Sequence, residues 1–202
     1  MNIFYRSKCP RKAAESLCDQ HVVKMPLETA QILSTAHRYL DGNLVECRTE
    51  SGRKAKRWVL DNHDDKFYLA AHVNHPSTVW ARQSKEHYEW LYEHFEALSL
   101  EFERRFKHNH KSWDKLKFFT SKAPQNIESS GFIDPPQCMP DEFKDPNTVT
   151  AYNKYYEFKF FRKTAPTGPV PLSPVTFGRE YDTSVQGQTT HLLLDGLGGQ
   201  TY

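Results

Sequence analysis

The side chains best suited to acid-base chemistry fall in one stretch, CDQHVVKMPLETAQILSTAHRYL, from Cys18 to Leu40. At about 100° per residue, Val22, Met25, Thr29, Ile32, Leu33, Ala36 and Leu40 share one side of a helix, and His21, Lys24, Glu28, Gln31, Ser34, Thr35 and Arg38 share the other. On the polar side an imidazole, an amine, a carboxylate and an amide follow one another at steps of three, four and three residues, which stacks them in a column. A plainer reading makes the column a solvated face, with Lys24 and Glu28 as an i, i+4 pair contributing a few tenths of a kcal/mol, on the order of 0.3.

The elements that must position this column come from a chain of 202 residues, long enough for one good core. Charged residues make up 26% and aromatics 13%, and the second figure suggests rings with a task beyond packing, such as stacking on flat ligands. The net charge of +2 decides nothing globally, because phosphate binding needs a local patch. Cys9, Cys18, Cys47 and Cys138 show no CxxC spacing and read as reduced thiols. Neither the cysteines nor the histidines, including His72 with His75 and His108 with His110, make a metal-binding pattern, so no metal and no cofactor are expected. Without a signal peptide or an apolar run near the roughly 18 residues of a membrane span, the expected location is the cytoplasm, that of the host if the chain is viral.

In chain order, MNIFY reads as an extended segment tucked into the core, which would carry the N-terminal amine inside the fold. A helix is expected from Pro10, and Pro26 is expected to kink or restart the helix that carries the column. Asp41-Gly42 ends it, and LVECRTESGRKAKRWVL reads as a hairpin turning at Ser51-Gly52, made basic by Arg48, Arg53, Lys54, Lys56 and Arg57. FYLAAHVNHP suggests a strand closed by Pro76. The longest helix is expected from Ser77 to about Lys107, with Leu91, Phe95, Leu98, Phe102 and Phe106 as a core stripe.

Between Glu103 and Ala123 the cations Arg104, Arg105, Lys107, Lys111, Lys115, Lys117 and Lys122 outnumber Glu103 and Asp114, with Trp113, Phe118 and Phe119 interleaved. Such a stretch suits a phosphate backbone with accessible bases, or else is a solvated helix end. FIDPPQCMPDEF reads as irregular, and a last helix is expected near Pro146, capped by Asp145. The fold class is therefore mostly α: a helical domain over 1–163 with a small hairpin. Residues 164–202, rich in Pro, Gly, Thr and Ser, read as a loosely packed extension with one short strand at HLLLD.

Asp19-Gln20-His21, with Glu28 seven residues after the histidine, resembles the virus-encoded pyrimidine-dimer DNA glycosylase family, a small helical fold. Lys154-Tyr155-Tyr156 is similar to that family's aromatic end segment, which helps recognise damaged bases, and the resemblance extends over roughly residues 1 to 160. MNIFY, CDQHVVKM and MPDEF also resemble a group of viral proteins without an assigned activity. Two departures stand out. Leu27 and Gln31 occupy the places of the family's two arginines about the glutamate. Asn2 stands where the family has the amine exposed by removal of the initiator methionine, and its bulk hinders that removal.

The resemblance implies a glycosylase with abasic lyase activity on duplex DNA carrying damaged or modified pyrimidines. The amine would come from Met1, from Asn2 after processing, or from Lys24, with Glu28 as the catalytic carboxylate and His21 binding phosphate or orienting it. DNA contacts are expected from Gln31, Arg82, Lys111, Lys115, Lys117, Lys154, Tyr155 and Tyr156. Two other readings stay open: an enzyme that transfers a group to pyrimidines of viral DNA or nucleotides, and a non-enzymatic basic DNA-binding or host-interaction protein.

Overall fold

The periodic stretch forms one helix, α2, over Asp19–Asp41 in the computed structural model, which describes residues 2–49 and 51–161. Met1, the 164–202 extension and its HLLLD strand lie outside the described residues. Val22, Met25, Ile32, Leu33 and Ala36 are buried as the periodicity requires. Helix α2 does not restart at Pro26 but runs through it. It stops at Gly42, whose N–H bonds to the Arg38 carbonyl at 3.1 Å. A Cβ at Gly42 would lie 2.5 Å from that same oxygen, so only glycine permits the turn there.

Four residues assigned to the polar side, His21, Ser34, Thr35 and Arg38, are buried instead. Arg38, 1% exposed, donates to the carbonyls of Trp58, Asp64, Phe67 and Tyr68 and pairs with the Asp64 carboxylate. Ser34 Oγ and Thr35 Oγ1 accept from the backbone N–H groups of Tyr68 and Ala71, at 3.3 and 3.1 Å. This explains why no strand forms in FYLAAHVNHP. Backbone groups of Phe67, Tyr68 and Ala71 are satisfied by side chains of α2, and the chain then turns over residues 72–75, with His72 at φ of 48° and its carbonyl accepting from the His75 N–H at 2.9 Å.

Helix α1 spans Pro10–Glu15, with proline at its first position. Strands β1 (Asn43–Arg48) and β2 (Lys54–Val59) pair antiparallel with Glu46 opposite Lys56 and Leu44 opposite Trp58, as the hairpin reading expected. Pro76 opens a helix rather than closing a strand: α3 covers Pro76–Ala81, and His75 Nδ1 accepts from the Ser77 N–H at 3.2 Å. The single helix expected from Ser77 is in fact two, because the chain breaks at Arg82 and restarts as α4 over Lys85–Phe106. With 23 residues against 22, α2 is the longer. Leu91, Phe95, Leu98 and Phe102 are buried, with α1 and α2 packed on α4. A buried Leu or Phe of this kind contributes about 1.5–3 kcal/mol.

Helix α5 covers Lys111–Leu116. The proline-rich segment after it has little regular structure but is well anchored. The Trp80 indole N–H and the Tyr152 hydroxyl donate to the carbonyls of Ile133 and Pro136, at 2.8 and 2.7 Å. Helix α6 covers Thr148–Tyr156 and passes into a π-helical turn over Glu157–Phe161. Its cap is Asn147, whose Oδ1 accepts from Thr150 N–H, and not Asp145, whose carboxylate accepts from Asn147 N–H and pairs with Lys154. No described helix is long and apolar enough to cross a membrane.

Candidate active site

The N-terminal segment approaches α2 through an unusual backbone. Ile3, Phe4 and Tyr5 are buried, and Phe4 has φ of 52°, a left-handed conformation that a bulky residue adopts only under constraint. The constraint is visible on both sides. Asn2 Oδ1 accepts from the Phe4 N–H at 3.1 Å, and the Phe4 carbonyl accepts from the Arg6 N–H at 2.7 Å. The resulting bend lays the Phe4 ring flat on His21, with centroids 4.4 Å apart. Asn2 Nδ2 then donates to the Cys138 carbonyl at 3.0 Å, fixing the segment to the proline-rich linker.

His21 is held from its other side by α6. The Tyr156 hydroxyl lies 2.9 Å from His21 Nδ1 and also accepts from the Cys18 N–H at 2.9 Å, at the N-terminus of α2. The Arg6 guanidinium covers the Tyr156 ring at 4.2 Å and donates to Asn153 of α6. Burial pushes the His21 imidazole down to about 4, helped by the cations Lys24, Lys159 and Arg6 and opposed by Glu28. His21 is thus neutral near pH 7 and suited to hydrogen bonding.

One turn and a half further along α2, Lys24 Nζ lies 2.8 Å from Glu28 Oε1. The two ends of this pair differ. Lys24 is 65% exposed and Glu28 only 15%, so the carboxylate is the enclosed partner. On the side of α3, burial and the neighbouring His72 lower His75 below the ordinary imidazole range, and the Glu28 charge opposes that shift. Glu28 therefore acts electrostatically on two neutral histidines, one from its own helix and one from the loop before α3. The structure brings together His21, Lys24 and Glu28, and Asn2 reaches them only through Phe4, whose ring lies on His21; the Met1 amine lies outside the described residues.

The residues nominated for DNA contact scatter. Gln31, one turn beyond Glu28, is half-buried. Arg82 donates to the Val73 carbonyl at 2.6 Å and covers the Tyr39 ring at 4.0 Å. Lys111 and Lys115 are exposed on α5, with Lys115 over the Tyr68 ring, while Lys117 is half-buried and pairs with Asp114 at 3.7 Å. The α5 region meets α2 where His110 Nε2 contacts the Val23 carbonyl, and Val23 stands about 140° round the helix from Glu28. Lys154 is exposed and paired with Asp145 at 2.7 Å. Tyr155 rests on Phe143 at the surface, but Tyr156 is fully buried; it orients His21 and offers no free ring face.

Sequence reasoning passed over Phe4, Arg6, His75 and Lys159. His75 was legible in part, since a histidine directly before a proline that opens a helix can serve as an N-cap. The others are joined to the site only by tertiary contact. Among the described residues, no group of three or more His, Cys, Asp or Glu side chains is arranged to hold a metal ion.

The helical fold, with an enclosed carboxylate beside an amine and neutral histidines, defines a class: a compact α-protein with a site for acid-base chemistry on one helix face. The sequence model of the pyrimidine dimer DNA glycosylase family matches residues 1–114, and the chain belongs to that family. Its function is accordingly of the DNA-repair glycosylase kind, with DNA as the substrate class. The match includes α1 to α4 and Glu28 but ends before α6, so Lys154-Tyr155-Tyr156 lies beyond it. No curated protein and no solved structure matches the chain.

Proposed function

We propose that the protein is a DNA glycosylase and abasic-site lyase acting on damaged pyrimidines through an imine between a protein amine and the deoxyribose, with Glu28 as the essential carboxylate. The observation that carries this reading is Glu28 itself: 15% exposed, 2.8 Å from an amine, and with its charge felt by two histidines that burial keeps uncharged. The amine lone pair attacks C1′ while the bond from C1′ to the base breaks and its electrons leave on the base, which takes up a proton. Loss of a proton from nitrogen and opening of the sugar give the imine. Glu28 first stabilises the cationic sugar and then assists removal of the C2′ proton, after which the C3′–O bond breaks and the phosphate departs. Water hydrolyses the imine and returns the amine.

The nucleophile needs to be unprotonated near neutral pH. An α-amine, with an ordinary pKa of about 7.7–8.0, meets that need better than a lysine at about 10.4. The 2.8 Å pairing of Lys24 with Glu28 favours its ammonium form, so the Met1 amine is the assigned nucleophile, or that of Asn2 after processing. Borohydride reduction of the protein on abasic duplex should trap a covalent adduct at residue 1 or 2, located by mass spectrometry of the digest. An adduct on Lys24 would keep the reaction and reassign the amine. No adduct from folded protein bound to abasic or dimer-containing DNA would remove the lyase reading.

A further inference from the structure

The β1–β2 hairpin has no evident reason to exist as part of the core. Between Leu44 and Arg57 every described residue is exposed or half-buried, and Leu44, Val45 and Val59 present apolar surface, Leu44 being 52% exposed. Among the described residues, anchorage is confined to the open end, where the Trp58 carbonyl accepts from Arg38 at 2.7 Å and Asn43 contacts Asp61 at 3.3 Å. A free two-stranded ribbon is marginal in water. This one also carries Arg48, Arg53, Lys54, Lys56 and Arg57 against only Glu46 and Glu50. Cations on a ribbon with both faces in solvent destabilise it by mutual repulsion, which is offset when a polyanion lies against them.

The position of the ribbon is equally informative. Tyr39, 42% exposed, follows Glu28 by eleven residues, so it stands within about 20° of Glu28 around α2 and roughly 16 Å further along it. Tyr39 is sandwiched at this point. The Arg82 guanidinium covers its ring at 4.0 Å, and the Trp58 ring meets it at 5.6 Å. From Trp58 the alternation of side chains puts Lys56, Lys54, Arg48 and Glu46 on the same face of the hairpin. Beyond Thr35, where the 67–71 segment covers α2, the Tyr39 cluster thus joins the side of α2 that carries Glu28 to one face of the ribbon.

We infer that the hairpin is a second DNA-binding element, which lies against the backbone of the duplex flanking the base held at Glu28. The inference rests on the glycosylase reading for the position of that base. At about 3.4 Å of rise per base pair, roughly 16 Å places the contact five or more base pairs from the lesion, and a two-stranded ribbon has the width the major groove admits. Arg48, Lys54 and Lys56 are assigned to phosphates, and Trp58 with Tyr39 to the apolar edge of the groove or the sugars.

The test uses the full chain with Arg48, Lys54 and Lys56 all changed to Gln, exposed positions at which relief of repulsion should keep the melting temperature at or above that of wild type. On an undamaged 30-base-pair duplex the slope of log K against log salt should fall in magnitude by roughly 2 to 3, since each lost phosphate contact removes about 0.9, and affinity at 50 mM salt should fall at least about tenfold. On duplexes carrying a tetrahydrofuran abasic analogue, trimming one flank to about four base pairs should weaken wild type and leave the triple variant nearly unaffected. The comparison variant, with Lys111, Lys115 and Lys117 changed to Gln on the other flank of α2, should retain the flank-length dependence. An unchanged salt slope in the hairpin variant, or a flank dependence equal to that of wild type, overturns the inference. Failure of the glycosylase reading would appear separately, as wild type that binds duplex yet gives no borohydride adduct on abasic DNA.

Discussion

Changing Tyr156 to Phe removes one oxygen atom and tests how the last helix builds the site on α2. The ring would keep its packing under Arg6 at 4.2 Å and its edge contact with Phe4 at 5.4 Å, so no cavity forms. Two groups lose their partner: the Cys18 N–H at the start of α2 and His21 Nδ1, both 2.9 Å from the hydroxyl. An unsatisfied buried group costs about 1–3 kcal/mol, and Cys18 is half-buried, so water recovers part of its loss; the pair together should cost roughly 2 kcal/mol. For a domain of this size that lowers the melting temperature by roughly 4–8 °C. His21 also loses one of the contacts that orient it, and a small misplacement slows the chemical step by up to about 10²-fold with little change in DNA affinity. Circular-dichroism melts and single-turnover strand cleavage at saturating enzyme give both numbers. Tyr155→Phe is the internal control, since among the described residues that hydroxyl meets only Lys159 Nζ, at 3.2 Å on the surface, and its loss should cost under about 0.5 kcal/mol. Equal effects in the two variants, or a Tyr156→Phe protein with wild-type melting and cleavage, would refute the placement of α6 against His21.

Glu28→Gln should keep the fold and DNA affinity and lose borohydride-trappable chemistry; comparable turnover in the variant would take Glu28 out of the site. Arg38→Met should destabilise by about 3–5 kcal/mol, because it leaves the carbonyls of Trp58, Asp64, Phe67 and Tyr68 without their donor, and urea titration would show it. Stability should fall as pH drops from about 6.5 to 4. Burial depresses His21, His37 and His94 to about 4, so across that window the unfolded chain binds protons that the folded one refuses. Each histidine contributes up to roughly 3 kcal/mol to the loss, and a flat urea midpoint over this range would show that they are not held neutral.

Helix α2 was legible because its apolar positions recur at the helical period, and Asp41-Gly42 marked its end through a turn only glycine fits. Periodicity failed where polar side chains replaced backbone partners. Ser34, Thr35 and Arg38 read as a wet face, yet they supply the hydrogen bonds that a strand would have given residues 58–71. The false strand in FYLAAHVNHP and the false surface on α2 are thus one error seen from two sides. Nothing local distinguishes an arginine that ends in water from one that ends in four carbonyls.

The candidate site repeats that division. His21, Lys24 and Glu28 were legible because helical spacing alone joins Lys24 to Glu28, and their separation of 2.8 Å needs no tertiary contact. What surrounds the pair with a buried, neutral imidazole comes from far along the chain. Phe4 lies on His21 from the N-terminus, Tyr156 fixes it from α6, and His75 comes from the loop before α3. Tyr155 and Tyr156 look equivalent in sequence, and their fates differ only because the last turn of α6 points one ring at Cys18 and His21 and the next at Phe143 and solvent. On the proposed reading one helix face supplies the chemistry, and Phe4, His75 and Tyr156, distant in sequence, supply its environment. Substitutions at those three positions should therefore change the rate without changing which carboxylate is required.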